Sequence, residues 1–419
     1  MLSRKDIKKE AMPLDIQTKS VAGVLSFHHE FPTNGIHYLK FLFDVKKLPV
    51  DMIPYLGLLR SIFSYVDTEK HTYTELSNEI DRFTGGISGT VGVYQNVKAP
   101  DAMSVKFEIK CKTLYEQMPK AIALISEIIE GSKYDDYKRL YELIAEMKSR
   151  IQSNLSNSGS ATATLRANSY FSKAALLKDK IGGIDFYREI VRLEKNFETE
   201  KASIASKLKR LATIIFRKEN LMISSTCTQE EFQRLEPQIK EFNHHLSDQD
   251  FTFSPSELVC EKKNEGFMDA SQVQYVVRAG SYADAGYGYV GAMRVVKTIL
   301  SYEYLWIEVR VKGGAYGCGG SFGRMGAMNL SSYRDPNLEK TNEVFERTPE
   351  FLASFEADDK EMTKYVIGTV SEMDTPLTPA LRGERSMTLY LCNLTIQDIQ
   401  KERDEVLKVK AEDIRALAD

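Results

Sequence analysis

Arg310-Val311-Lys312-Gly313-Gly314-Ala315-Tyr316-Gly317-Cys318-Gly319-Gly320-Ser321-Phe322-Gly323 carries six glycines in fourteen residues. A glycine inside a strand or helix costs about 0.5–1 kcal/mol relative to alanine. A run this dense marks a place where a ligand or another backbone comes close. Arg310, Tyr316 and Ser321 stand among the glycines. The mixture predicts a peptide-binding or catalytic edge. The same residues equally describe a glycine-rich turn and strand without chemistry.

The elements around this stretch are repeated upstream. Before it, 272–277 reads as a strand and 286–302 as a helix, followed by a short helix. After it come strands to about Tyr333 and helices at 336–355, 358–373, 379–391 and 395–408. Upstream, strands at 21–29 and 36–45 flank the turn Asn34-Gly35. Leu39, Phe41 and Phe43 alternate with Lys40, Leu42 and Asp44, giving one apolar face. A helix follows over 49–66, and another over 74–83 capped by Thr72 or Thr74. Gly85-Gly86 ends it, strands cover 87–95 and 102–111, and helices run through 115–130, 135–157, 160–178, 184–194 and 199–217. A buried strand at 220–227 and a helix at 229–245 complete the block.

Each block thus runs strand, helix, short helix, Gly-Gly, strands, helices. Ordered self-similarity is the mark of a duplicated unit. It predicts an α+β fold of two homologous domains, each a mainly antiparallel sheet packed by helices. The expected domains are 1–246 and 247–419, divided in the loop 246–256 that holds Asp248, Asp250, Ser254 and Pro255.

Composition excludes some classes. The chain has 419 residues, 42% hydrophobic and 27% charged, with a net charge of −3. That balance gives no basis for nucleic acid or an anionic membrane as partner. No apolar run is long enough to span a bilayer, and Met1-Leu2-Ser3-Arg4-Lys5-Asp6 lacks the apolar core of a signal peptide. The five cysteines, Cys111, Cys227, Cys260, Cys318 and Cys392, form no C-x-x-C pair, which fits free thiols in a reducing compartment.

The six histidines, His28, His29, His37, His71, His244 and His245, make neither H-E-x-x-H nor H-x-x-E-H. His28-His29-Glu30 lies on a predicted strand, where neighbours point to opposite faces and cannot share a metal. His244-His245 ends a predicted helix, where a cation suits the dipole. The expected metal set in this chain is therefore none. Gly319-Gly320-Ser321-Phe322-Gly323 matches G-x-S-x-G, but a hydrolase elbow needs a histidine after the serine and none follows position 245. No phosphate-binding glycine loop is present.

The duplicated blocks, Arg310 placed six residues before Tyr316, and Gly313-Gly314-Ala315-Tyr316-Gly317 resemble the pitrilysin-type zinc peptidases, in the branch of presequence protease and falcilysin. Leu2-Ser3-Arg4-Lys5-Asp6-Ile7 and Phe31-Pro32-Thr33-Asn34-Gly35-Ile36 look like the start of that family's second half. The resemblance covers essentially the whole chain. It implies two bowl-shaped halves closing on unfolded peptides, with zinc on H-x-x-E-H in the N-terminal half. It implies that Arg310 and Tyr316 contact substrate and transition state, and that Gly313, Gly314, Ala315 and Gly317 line the substrate edge. It further implies a partner half bearing the zinc, in the same polypeptide or a separate subunit, and no cofactor in this chain. The location implied is the cytoplasm of a bacterium or the matrix of a eukaryotic organelle. The expected function is the non-catalytic C-terminal half of a peptidase of short unfolded peptides. The alternatives are a separately encoded inactive subunit and a structural or peptide-binding module of the same fold.

Overall fold

The computed structural model describes residues 3–45, 48–249, 251, 257–268 and 270–418. Nine strands form two sheets among these residues: β1 (Gln17–Val21), β2 (Val24–Glu30), β3 (Ile36–Asp44), β4 (Ile87–Asn96), β5 (Ala99–Leu114), β6 (Leu221–Cys227), β7 (Val277–Ser281), β8 (Gly317–Phe322) and β9 (Ala327–Tyr333). The first sheet has the order β1-β2-β6-β3-β5-β4 and the second β7-β9-β8. Only β2 and β6 pair in parallel; the other pairings are antiparallel.

Leu39, Phe41 and Phe43 of β3 enter a large core with Leu56, Leu59, Ile125, Leu208 and Ile223. The helix expected at 74–83 starts at a cap its sequence names, whereas the one expected at 160–178 is two, Gly159–Asn168 and Lys173–Gly182. Thr72, not Thr74, caps the helix Tyr73–Phe83, its hydroxyl accepting from the Glu75 N–H while the Glu75 carboxylate accepts from the Thr72 N–H. The second core gathers Val295, Ile299, Leu305, Val309, Leu330 and Val366.

Several expectations need correction. Asn34-Gly35 does turn, with φ of 50° and 84°, but β2 and β3 are not a hairpin, because β6 lies between them. Five of the seven β6 residues from Ile223 to Cys227 are buried in succession, the pattern of a strand covered on both faces. The other face of β3, with Lys40 and Leu42, is covered as well. The helix Pro379–Leu391 covers it, with Met387 packing on Phe27, Leu42 and Tyr94. Lys40 is thereby buried, and its ammonium bonds Glu108 at 3.0 Å and Glu384 of that helix at 2.6 Å.

The strand expected at 272–277 is regular only from Val277; before it, Gln274 pairs with Asp335 in an isolated bridge and the Val276 N–H donates to the Ser332 hydroxyl at 3.3 Å. The helix expected from 286 begins at Ala292, after Gly286 at a φ of 91°, and runs without a break into two π-helical segments, Leu300–Tyr304 and Trp306–Lys312. The separate short helix is part of this one rod.

Asp250, Ser254 and Pro255 of the expected boundary loop lie outside the described residues; Asp248 pairs with Lys218 at 3.2 Å. The N-terminal arm packs on the chain's last helices. Arg403, 1% exposed, donates to the Lys8 carbonyl and to Asp374, and Arg4 donates to the Val409 carbonyl at 2.8 Å.

Candidate peptide-contact site

The glycine run terminates the long helix and starts β8. At the helix end the Gly314 N–H donates to the Arg310 carbonyl at 2.9 Å and the Ala315 N–H to the Val309 carbonyl at 3.1 Å. Gly314 takes a φ of +82°, the left-handed region that glycine tolerates. A Cβ at Gly313 would run into the Val309 carbonyl oxygen, so close packing of the chain on itself requires that glycine. Asn337 holds the turn from outside, its amide donating to the Gly313 carbonyl at 2.5 Å. Asp335, fully buried, braces that loop by accepting from the Asn337 N–H at 2.8 Å and the Thr341 hydroxyl at 2.7 Å.

The turn fixes the two named residues beside each other. Tyr316 is anchored by its backbone, its N–H donating to the Tyr333 carbonyl at 3.1 Å, while its side chain is 65% exposed. The Tyr316 hydroxyl has no hydrogen-bond partner among the described residues. Arg310 donates from Nη1 to the Tyr316 carbonyl, with its guanidinium 5.4 Å from the Tyr316 ring centre and 4.2 Å from that of Trp306. No carboxylate pairs with Arg310 among the described residues. Trp306 is the residue sequence reasoning missed. It is the chain's one tryptophan and sits four residues before Arg310, a spacing that puts both on one helix face.

The remaining predicted residues have distinct places. Ala315 is buried in the second core, and Gly317 begins β8, where a Cβ would meet Tyr333 Cβ at 3.5 Å. Gly319 has open space where a Cβ would stand. Since β8 pairs only with β9, its other edge carries no strand among the described residues. Ser321 is exposed on β8, which turns back into β9, so the strand-to-helix elbow of a serine hydrolase is absent there. Burial pushes the Cys318 thiol up to about 11, which keeps it protonated.

The family model for the region associated with subfamily C of the M16 peptidases matches residues 1–193, and that described as "PreP C-terminal domain" matches residues 264–419. The chain belongs to the M16 peptidases, as a C-terminal half. Protein HypA of Clostridium perfringens is 38% identical over all of this chain and 43% of its own length. Presequence protease 1, chloroplastic/mitochondrial, of Arabidopsis thaliana is 26% identical over 99% of this chain and 38% of its own length. The chain thus spans about two fifths of the length of these relatives. A peptidase M16 inactive domain from Pseudomonas fluorescens has the same fold, with a TM-score of 0.62, 15% identity and coverage of 96% of this chain and 94% of that one. A conserved protein from Enterococcus faecalis V583 superposes with a TM-score of 0.66 and 16% identity, covering 96% of each chain.

Zinc, the metal this family implies, does not fit the residues present. No three His, Cys, Asp or Glu side chains gather into a metal site among the described residues. His28 and His29 are already engaged. His28 stacks on Phe232 at 4.2 Å with Nε2 3.2 Å from the Cys227 carbonyl. His29, on the opposite face of β2, has Nδ1 2.5 Å from the Asp15 carbonyl and Nε2 3.1 Å from the Ser224 hydroxyl. No described helix is long and apolar enough to cross a membrane.

Proposed function

We propose that this half completes a peptide-cutting chamber whose zinc-bearing half lies N-terminal to it or in a partner subunit. Short unfolded peptides are the substrates. Tyr316 donates its hydroxyl to the oxyanion that forms as the peptide carbonyl is attacked, and Arg310 presents its planar fork to a substrate carbonyl or carboxylate. The free edge of β8 pairs with the extended peptide backbone.

The observation that carries this reading is the state of Tyr316. An exposed tyrosine with an unpartnered hydroxyl, held by its backbone and by Arg310, offers a pre-placed donor. A salt-bridged surface arginine and a core tyrosine would have been the structural alternative. Tyr302, Trp306, Val311 and Tyr316 also leave an exposed apolar strip along the same helix end, a surface suited to the other half. The test restores the zinc-bearing half and follows cleavage of an unstructured peptide. Turnover that is indifferent to both Tyr316→Phe and Arg310→Lys overturns the assignment.

A further inference from the structure

A cavity of about 420 Å³ lies between the two sheets. Val93 and Gln95 of β4 line one side, and Ser321 and Phe322 of β8 line the other. Both β4 and β8 are edge strands. Arg294, Lys297 and Arg324 also line it, and no carboxylate does.

The counter-charge stands behind the wall. Glu402, 4% exposed, accepts from Arg294 Nε at 2.6 Å, from Arg324 Nη2 and from the Tyr289 hydroxyl. One carboxylate faces two guanidinium groups, so one positive charge is left over. Each guanidinium has five N–H donors. Only one from each reaches Glu402. Arg294 also leans on the Tyr289 hydroxyl, and the remaining donors have no protein acceptor among the described residues. Lys297 pairs with Glu372 at 2.7 Å, but both are about half exposed, so water screens that pair. A buried acid that merely needed neutralising would be satisfied by one arginine. Here it orients two, with their free donors at a cavity between strand edges.

We propose that this cavity binds the terminal carboxylate of an extended peptide lying along the free edge of β8. A carboxylate accepts two parallel bonds from an arginine fork, which gives strength and a fixed plane. The site's register against the cleavage point rests on the reading of Tyr316 above. From Tyr316 to Phe322 is about 20 Å at roughly 3.3 Å per residue. A peptide cut beside Tyr316 therefore leaves a C-terminal product of roughly six residues, anchored by its end.

The test is fluorescence anisotropy on the 419-residue chain with one labelled unstructured peptide made twice, as the free acid and as the C-terminal amide. The acid binds about tenfold more tightly than the amide, and added salt narrows the difference. Arg324→Gln removes the difference, with Arg294 and Tyr289 still on Glu402 and melting curves as control. Lys297→Ala, at a half-exposed residue away from Glu402, weakens the acid alone by about two- to threefold. Equal affinities of acid and amide overturn the site, as does a difference untouched by both variants. Inorganic phosphate that raises the melting temperature as much as the acid peptide does, at equal concentration, makes this a free-anion site and overturns the peptide assignment. Tyr316→Ala weakens acid and amide alike if the edge reading holds, so the ratio and the common loss report separately on the two readings.

Discussion

The Arg310 guanidinium donates to the carbonyl of Tyr316 while lying 5.4 Å from the centre of its ring. The two residues are therefore one mechanical unit. Losing the Arg310 fork frees the Tyr316 carbonyl and ring and so the placement of its hydroxyl, and the two effects should not add. In the enzyme with its zinc-bearing half restored, Tyr316→Phe lowers kcat and kcat/KM together by about 10²-fold, with little change in Tm. Arg310→Lys keeps the charge and loses the fork, and the double variant is hardly worse than Tyr316→Phe. Steady-state kinetics on an unstructured peptide measure the cycle; strict additivity would separate the two residues.

Two glycines of the same run separate local geometry from substrate contact. Gly313→Ala drives a methyl against the Val309 carbonyl and destabilises by about 1–3 kcal/mol. Gly319→Ala points into open space and changes stability by less than about 0.5 kcal/mol. Urea unfolding of both variants checks the contrast, and equal effects would contradict the packing described.

Lys40 ties the first sheet to the helix Pro379–Leu391 through Glu108 and Glu384. Lys40→Met strands the carboxylate of Glu108, which is 2% exposed and also accepts from the Tyr94 hydroxyl. The expected loss is about 3–5 kcal/mol, the cost of breaking a buried pair from one side. Lys40→Met with Glu108→Gln recovers most of it. A single variant as stable as the parent, by denaturant unfolding, would show that the pair is not holding the two elements.

His37 sets an acid limit. It is fully buried, with Nε2 2.7 Å from the Ser225 hydroxyl and no partner for Nδ1, and burial pushes its pKa from 6.5 to about 3. Above 6.5 neither state is protonated and the residue is silent. Between 6.5 and about 3 the unfolded chain takes up a proton that the folded chain refuses, so stability falls as pH falls. The slope from this residue approaches about 1.4 kcal/mol per pH unit. His37→Asn flattens that part of the Tm–pH curve, and an unchanged slope would assign the acid limit elsewhere. Burial also lowers the pKa values of His28 and His29, so the curve does not become level.

The local elements are legible in the chain's own residues. Helix ends are written in neighbouring residues, as Thr72 with Glu75 shows, and the alternation of Leu39, Phe41 and Phe43 marks a strand face without reference to the rest of the chain. The sequence also held the phrase from Arg310 to Gly317, because a helix stop and an exposed tyrosine are short-range matters. Which strands are neighbours is settled by long-range packing. β6 enters between β2 and β3 from nearly two hundred residues away, with His28 opposite Ser225, and no local periodicity carries that pairing. The same holds for the second face of β3, which looks polar at Lys40 until the helix Pro379–Leu391 closes over it. Glu402, Arg294 and Arg324 likewise meet across a long sequence separation. Periodicity reports which face of an element is apolar; what comes to cover that face is settled by the packing of the whole chain.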